Sequence, residues 1–152
     1  MKPRVQLDDA TLRARQALEA LAVEYWHEVD VNGGREAHAF YTEDAIFTTS
    51  LKSRRGRDEI RAFYTARTAR GPRLSLHVVQ NFRVVLDTPL VARCDYVMSL
   101  YAADGEAVLP SRPAIMIART TERAVRERED GPWLYAERTL TPLFRDDTPT
   151  TG

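Results

Sequence analysis

A chain of 152 residues, 43% of them apolar, is long enough for one domain with a real core and leaves little room for a second. Twenty-two basic groups balance twenty-two acidic ones, so no excess positive field favours a nucleic-acid partner, and the arginines read as a solvated surface. The single cysteine, Cys94, excludes an intramolecular disulfide and a cysteine-rich metal site.

The N-terminus "MKPRVQLDDA" is charged and has no signal-like apolar core, and no run of about 18 apolar residues follows it anywhere. A soluble, cytoplasmic protein without a membrane partner is expected. From Leu12 to Val29 the residues Leu18, Leu21, Ala22, Tyr25, Trp26 and Val29 recur at the spacing of an amphipathic helix. Asp30 falls at the edge of that apolar stripe, whereas Glu24 and His27 point away. Asn32-Gly33-Gly34 ends the helix, and "REAHAFYTEDA" reads as a second, short helix. Ile46 to Thr49 reads as a short strand and "KSRRG" as a basic loop. In "RDEIRAFYTARTA", Ile60, Phe63, Tyr64 and Arg67 have helical spacing, and Gly71-Pro72 stops this third helix.

The period then changes. Arg73 to Leu86, Leu90 to Tyr101, Pro113 to about Glu129 and Trp133 to Leu143 are rich in strand-forming residues, with turn signals "DTP", "ADG" and "EDG" separating most of them. Three helices followed by successive antiparallel strands predict a single α+β domain over residues 1–152, its helices covering one face of a curved sheet. The tail from about residue 145, "RDDTPTTG", has little to bury and is expected to be loose.

Strand alternation puts His77, Val79, Asn81, Arg83 and Val85 on one face and Leu76, Val78, Gln80, Phe82 and Val84 on the other. His77 is either a packing residue or a base. An Asp bonded to one imidazole nitrogen would fix its tautomer and leave the other nitrogen free to take a proton, and Asp30 is the candidate. Asp95 alternates with an apolar set, so it is either an exposed charge or a second acid in a cavity. Arg138 keeps apolar company, which suggests burial beside an anion: a salt bridge to a helix, or a ligand. Trp26, Phe63 and Tyr64 suit a core or the wall of a pocket for a flat ligand, and Tyr25 has a phenol able to donate to an oxyanion. Phosphate loops, HExxH and G-x-S-x-G are absent, and three histidines alone make no zinc site. The expected chemistry is proton transfer without cofactor or metal.

The stretches "ALEALAVEYWHEVDVNGG", "FYTEDAIF", "GRDEIRAFY", "LHVVQNFRVVL" and "DGPWLYAERTL" resemble, in this order and over roughly residues 10 to 143, the nuclear transport factor 2-like superfamily. The resemblance is to its polyketide-cyclase, dehydratase and steroid-isomerase branch. It implies a cone-shaped fold in which three N-terminal helices pack on a strongly curved, mostly antiparallel sheet enclosing a pocket, and a homodimer through the sheet's outer face. It implies catalytic roles for Asp30 and His77, as in scytalone dehydratase-like members, with Tyr25 assisting and Trp26, Phe63, Tyr64, Asp95 and Arg138 binding substrate. The corresponding expectation is a cofactor-independent dehydratase or isomerase acting on a cyclic hydrophobic carbonyl metabolite. A non-catalytic binding protein and an accessory subunit of a ring-hydroxylating oxygenase share the scaffold and remain alternatives.

Overall fold

The computed structural model describes residues 5–50 and 52–150; the first four residues of the charged N-terminus and the last two of the tail lie outside that range. Helix α1 spans Asp9–Asn32, and the Asp8 carboxylate caps it by accepting from the Thr11 amide at 2.7 Å. Its stripe of Leu18, Ala22, Tyr25, Trp26 and Val29 is buried, as the spacing predicts. Gly33 ends it in the left-handed region at φ 70°. Gly34 follows with φ 74°, and a Cβ there would collide with the Tyr64 ring.

The expected second helix is not there. "REAHAFYTEDA" makes one 3-10 turn, Ala37–Phe40, and then strand β1, Tyr41–Thr48. The physical reason is an irregularity in β1 between Tyr41 and Ile46, which leaves the buried pair Tyr41 and Ala45 four residues apart and so imitates helical spacing. The basic loop also contains structure: Ser53–Arg55 forms β2, paired antiparallel with β1. Helix α2, Gly56–Ala69, buries Ile60 and Tyr64. Four long strands follow, β3 (Arg73–Thr88), β4 (Val91–Asp104), β5 (Met116–Val125) and β6 (Leu134–Arg145).

The sheet order is β2-β1-β6-β5-β4-β3. β1 lies parallel to β6 and the other neighbours are antiparallel, so the sheet is mixed. β2 and β3 remain as separate edges, which corrects the expectation of three helices on a strongly curved cone. Two α-helices instead lie on one face of an open sheet, α1 against β3 and α2 against β1. Among the described residues no helix is long and apolar enough to cross a membrane.

Local irregularities also decide which side chains meet. Asn81 has φ 55° and sits where the β3–β4 register slips, between the pairs Gln80 with Val97 and Arg83 with Asp95. The extra residue reverses the alternation. Ser75, His77 and Val79 share the core face with Phe82, Val84 and Leu86, whereas Arg83 and Val85 turn outward. A second shift, between Arg123 and Ala124 of β5, brings both Tyr135 and Arg138 of β6 to the core. Over its described part the tail is hydrogen-bonded to the body of the fold. Asp146 N–H donates to Ile115 O at 3.0 Å, Arg112 holds the Thr148 hydroxyl at 3.0 Å, and Arg73 holds the Pro149 carbonyl at 3.0 Å.

Candidate active site

Asp30, in the last turn of α1, reaches the edge strand β3 and receives three donors. Ser75 Oγ donates to Oδ1 at 2.9 Å, the His77 amide donates to Oδ2 at 2.8 Å, and His77 Nδ1 lies 2.6 Å from Oδ1. The amide is available because β3 has no strand on its outer side. A carboxylate accepts, so Nδ1 carries the hydrogen of the neutral ring and Nε2 keeps its lone pair. Among the described residues Nε2 has no hydrogen-bond partner, and His77 lines a cleft between the helices and the sheet. The side chains of His77 and Asp30 are only 7% and 10% exposed. Burial lowers the His77 pKa from its ordinary value; the hydrogen bond and charge of Asp30 oppose this, and the cations Arg67 and Arg138 add to the lowering.

Trp26 stacks on the imidazole, with centroids 3.9 Å apart and planes 6° from parallel, and its indole N–H donates to Tyr96 Oη at 3.0 Å. Trp26, Phe63, Tyr64, Arg67 and His77 line the cleft together with Thr150 of the tail. Its volume is about 60 Å³. That is well below the roughly 300–1,000 Å³ of a pocket that engulfs a drug-sized ligand.

A second polar cluster lies deeper. Arg138 is fully buried, with Nε 3.2 Å from Glu122 Oε1 and Nη2 donating to Tyr96 Oη at 2.7 Å. Its guanidinium carbon lies 3.8 Å from the centroid of Tyr25 and 4.5 Å from that of Trp26. Burial pushes the Glu122 carboxyl up to about 7, against the pull of Arg138. Tyr41 donates to Tyr25 Oη at 2.9 Å, and Tyr25 is hydrogen-bonded in turn to Tyr64.

Of the residues singled out in the sequence, Asp30, His77, Trp26, Phe63 and Tyr64 are brought to the cleft or its wall. Tyr25 is not: its hydroxyl is engaged by Tyr41 and Tyr64, and it stands behind Tyr64. Arg138 also stays out of the cleft, and its carboxylate partner comes from β5 rather than from a helix. Asp95 is on the opposite face of the sheet, 3.2 Å from Arg119, because its β4 alternation points outward and the bulge turns Arg83 outward beside it. Sequence reasoning missed Ser75, Arg67 and Glu122. Ser75 lies two residues before His77 on the same strand, and Arg67 lies one turn beyond Phe63 and Tyr64, so spacing gave a signal for both. Glu122 gave one too, alternating with Ala118, Thr120 and Ala124 on the buried face. Among the described residues, no group of three or more His, Cys, Asp or Glu side chains is gathered as a metal site requires.

The SnoaL-like domain matches residues 10–139. The chain belongs to the SnoaL-like family. That membership, together with the solved structures, places it in the nuclear transport factor 2-like superfamily. A provisionally named scytalone dehydratase from Novosphingobium aromaticivorans superposes on this SnoaL-like chain with a TM-score of 0.80 at 20% identity, over 95% of this chain and 93% of that one. A protein from the same organism, provisionally named as an aromatic ring hydroxylase, gives 0.71 at 22% identity, over 91% and 93%. ActVI-ORFA from Streptomyces coelicolor gives 0.72 at 16% identity, over 87% and 98%. At such identities the likeness is one of fold. No curated protein matches the sequence.

Proposed function

We propose that this SnoaL-like protein is a cofactor-free dehydratase or isomerase acting on a cyclic, mostly apolar carbonyl compound, with His77 as its base. The observation that carries this reading is the 2.6 Å contact between Asp30 Oδ1 and His77 Nδ1 at the wall of a cleft. Nε2 takes the proton from the carbon beside the carbonyl, and the electron pair moves to form an enolate. Tyr64 donates to the enolate oxygen, and the hydroxyl chain from Tyr41 through Tyr25 orients the Tyr64 phenol, so Tyr25 is a positioning residue. The imidazolium then returns its proton, either to a departing β-hydroxyl, which leaves as water, or to a second carbon. The first outcome is dehydration and the second is isomerisation. Trp26 holds the imidazole plane, and Phe63 contacts the substrate ring. A ring can enter only if the cleft opens beyond its present about 60 Å³, and the described end of the tail borders that opening.

The test is deuterium uptake from heavy water at the carbon beside the carbonyl, followed by NMR over a panel of cyclic hydroxy-ketones. Wild type should exchange a member of the panel. His77→Ala should lower its exchange about 10²–10⁴-fold, and Asp30→Asn should lower it by a similar order through the wrong tautomer. Exchange that persists undiminished in His77→Ala rejects His77 as the base.

The protein is also proposed to be a homodimer through the outer face of the sheet. Leu76 and Tyr101 are register partners there, 57% and 39% exposed, and Leu74 and Val78 extend the same apolar strip. Leu76→Glu should shift the sedimentation coefficient to that of a monomer. A monomeric wild type would remove this proposal.

A further inference from the structure

Arg67 stands apart from the other arginines near the cleft. Arg138 is paired with Glu122, and Arg73 is held by Asp104 at 3.1 Å and by the Pro149 carbonyl at 3.0 Å. Arg67 is half-buried, lines the cleft beside Phe63, Tyr64 and His77, and makes one hydrogen bond, from Nη2 to Ser75 Oγ at 3.1 Å. Among the described residues it has no carboxylate within ion-pair distance. Asp30 does not serve as one: its oxygens are taken by Ser75 and by the amide and ring of His77, so the guanidinium is linked to it only through the serine hydroxyl. A guanidinium has five N–H donors in a planar fork, and the others here have no acceptor among the described residues. Burial disfavours its charge, which a bound anion would restore.

We infer that Arg67 is the receptor for a carboxylate on the substrate, so that the molecule processed at His77 is a cyclic carbonyl compound bearing a carboxylate group. This rests on the reading of the cleft as the substrate site. The remaining walls suit the rest of such a molecule, since Phe63, Met98, Leu100 and Leu140 present apolar surface to the same cleft. The carboxylate docks on the fork of Arg67 in a partly dehydrated setting, where a charge-assisted pair is stronger than at the surface. A neutral analogue leaves the guanidinium unpaired, and the site therefore selects against it. Because Arg67, Ser75, Asp30 and His77 form one hydrogen-bonded series, docking the anion also fixes where the ring lies relative to Nε2.

Benzoate and benzamide test this directly, being nearly the same shape and differing in charge. Each is titrated into the full chain while the NMR signals of the His77 ring are followed. Wild type should bind benzoate about tenfold or more tightly than benzamide. Arg67→Gln should bring the two affinities together by weakening benzoate alone, and Arg67→Lys should retain part of the preference. Ser75→Ala should keep the preference in weakened form, because it keeps the guanidinium charge at the cleft while removing the one hydrogen bond that positions it. Equal affinities in wild type, or an undiminished preference in Arg67→Gln, overturn the carboxylate receptor while benzamide binding still upholds the cleft. If neither probe moves the His77 signals, the cleft reading fails and this inference fails with it.

Discussion

His77 is pulled in opposite directions by its neighbours. Burial removes water from the imidazolium and the nearby cations repel it, whereas Asp30 favours it by hydrogen bond and charge; the balance lies below the ordinary value of 6.5. The neutral ring is therefore the state present at neutral pH, as a base requires. The acid limb of kcat/KM should be centred below pH 6.5, and a limb centred above it would mean that Asp30 dominates. The same sign holds for stability: the contribution of the neutral buried ring is present above 6.5 and is lost as pH falls through the lowered native value. Asp30 was legible as a candidate because it borders the apolar stripe of its helix, whereas its pairing with His77 was implied by the family resemblance. The partner of Arg138 was not legible. Burial could be inferred from Leu134, Ala136 and Leu140, but the choice of Glu122 depends on how two strands register.

At the scale of elements, one residue in β3 reorganises half a strand. Asn81 occupies the left-handed region at φ 55°, which Asn tolerates and a β-branched residue does not. Asn81→Val should destabilise the fold by about 1–2 kcal/mol, whereas Asn81→Gly should stay near neutral, both read from denaturant unfolding. Equal losses in the two variants would show that the side chain rather than the backbone matters. Alternation grouped His77 with Val79 correctly because both precede the slip, and grouped Arg83 and Val85 with them wrongly because those residues follow it. The second expected helix failed for a related reason. Irregular pairing spaced Tyr41 and Ala45 like helical neighbours, and only the strand partner β6, far along the sequence, distinguishes the two.

For the whole molecule, the parallel pairing of β1 with β6 joins the beginning of the sheet to its last strand, and α2, β3, β4 and β5 all intervene in sequence. No local pattern announces such a contact, which is why helix and strand content was more legible than sheet order and shape. The centre of the fold holds the Glu122–Arg138 pair among tyrosines, and its pH response is opposite to that of a simple salt bridge. Burial raises Glu122 from 4.5 to about 7, so the fold favours the neutral acid; that contribution is present below 4.5 and is lost as pH rises through about 7. Glu122→Gln keeps the shape without titrating. Wild type should lose stability relative to this variant between pH 4.5 and about 7, with the difference level above that, as measured by thermal unfolding across pH. A difference that widens in favour of wild type as pH rises would show instead that the ionised pair is the preferred state.

The indole of Trp26 lies flat against His77, and the chain has only one other tryptophan, Trp133. An imidazolium quenches a stacked indole far more strongly than neutral imidazole does. The site therefore contains its own optical gauge: with Trp133 replaced by Phe, emission from Trp26 reports the protonation of the His77 ring without a substrate, a label or an assay.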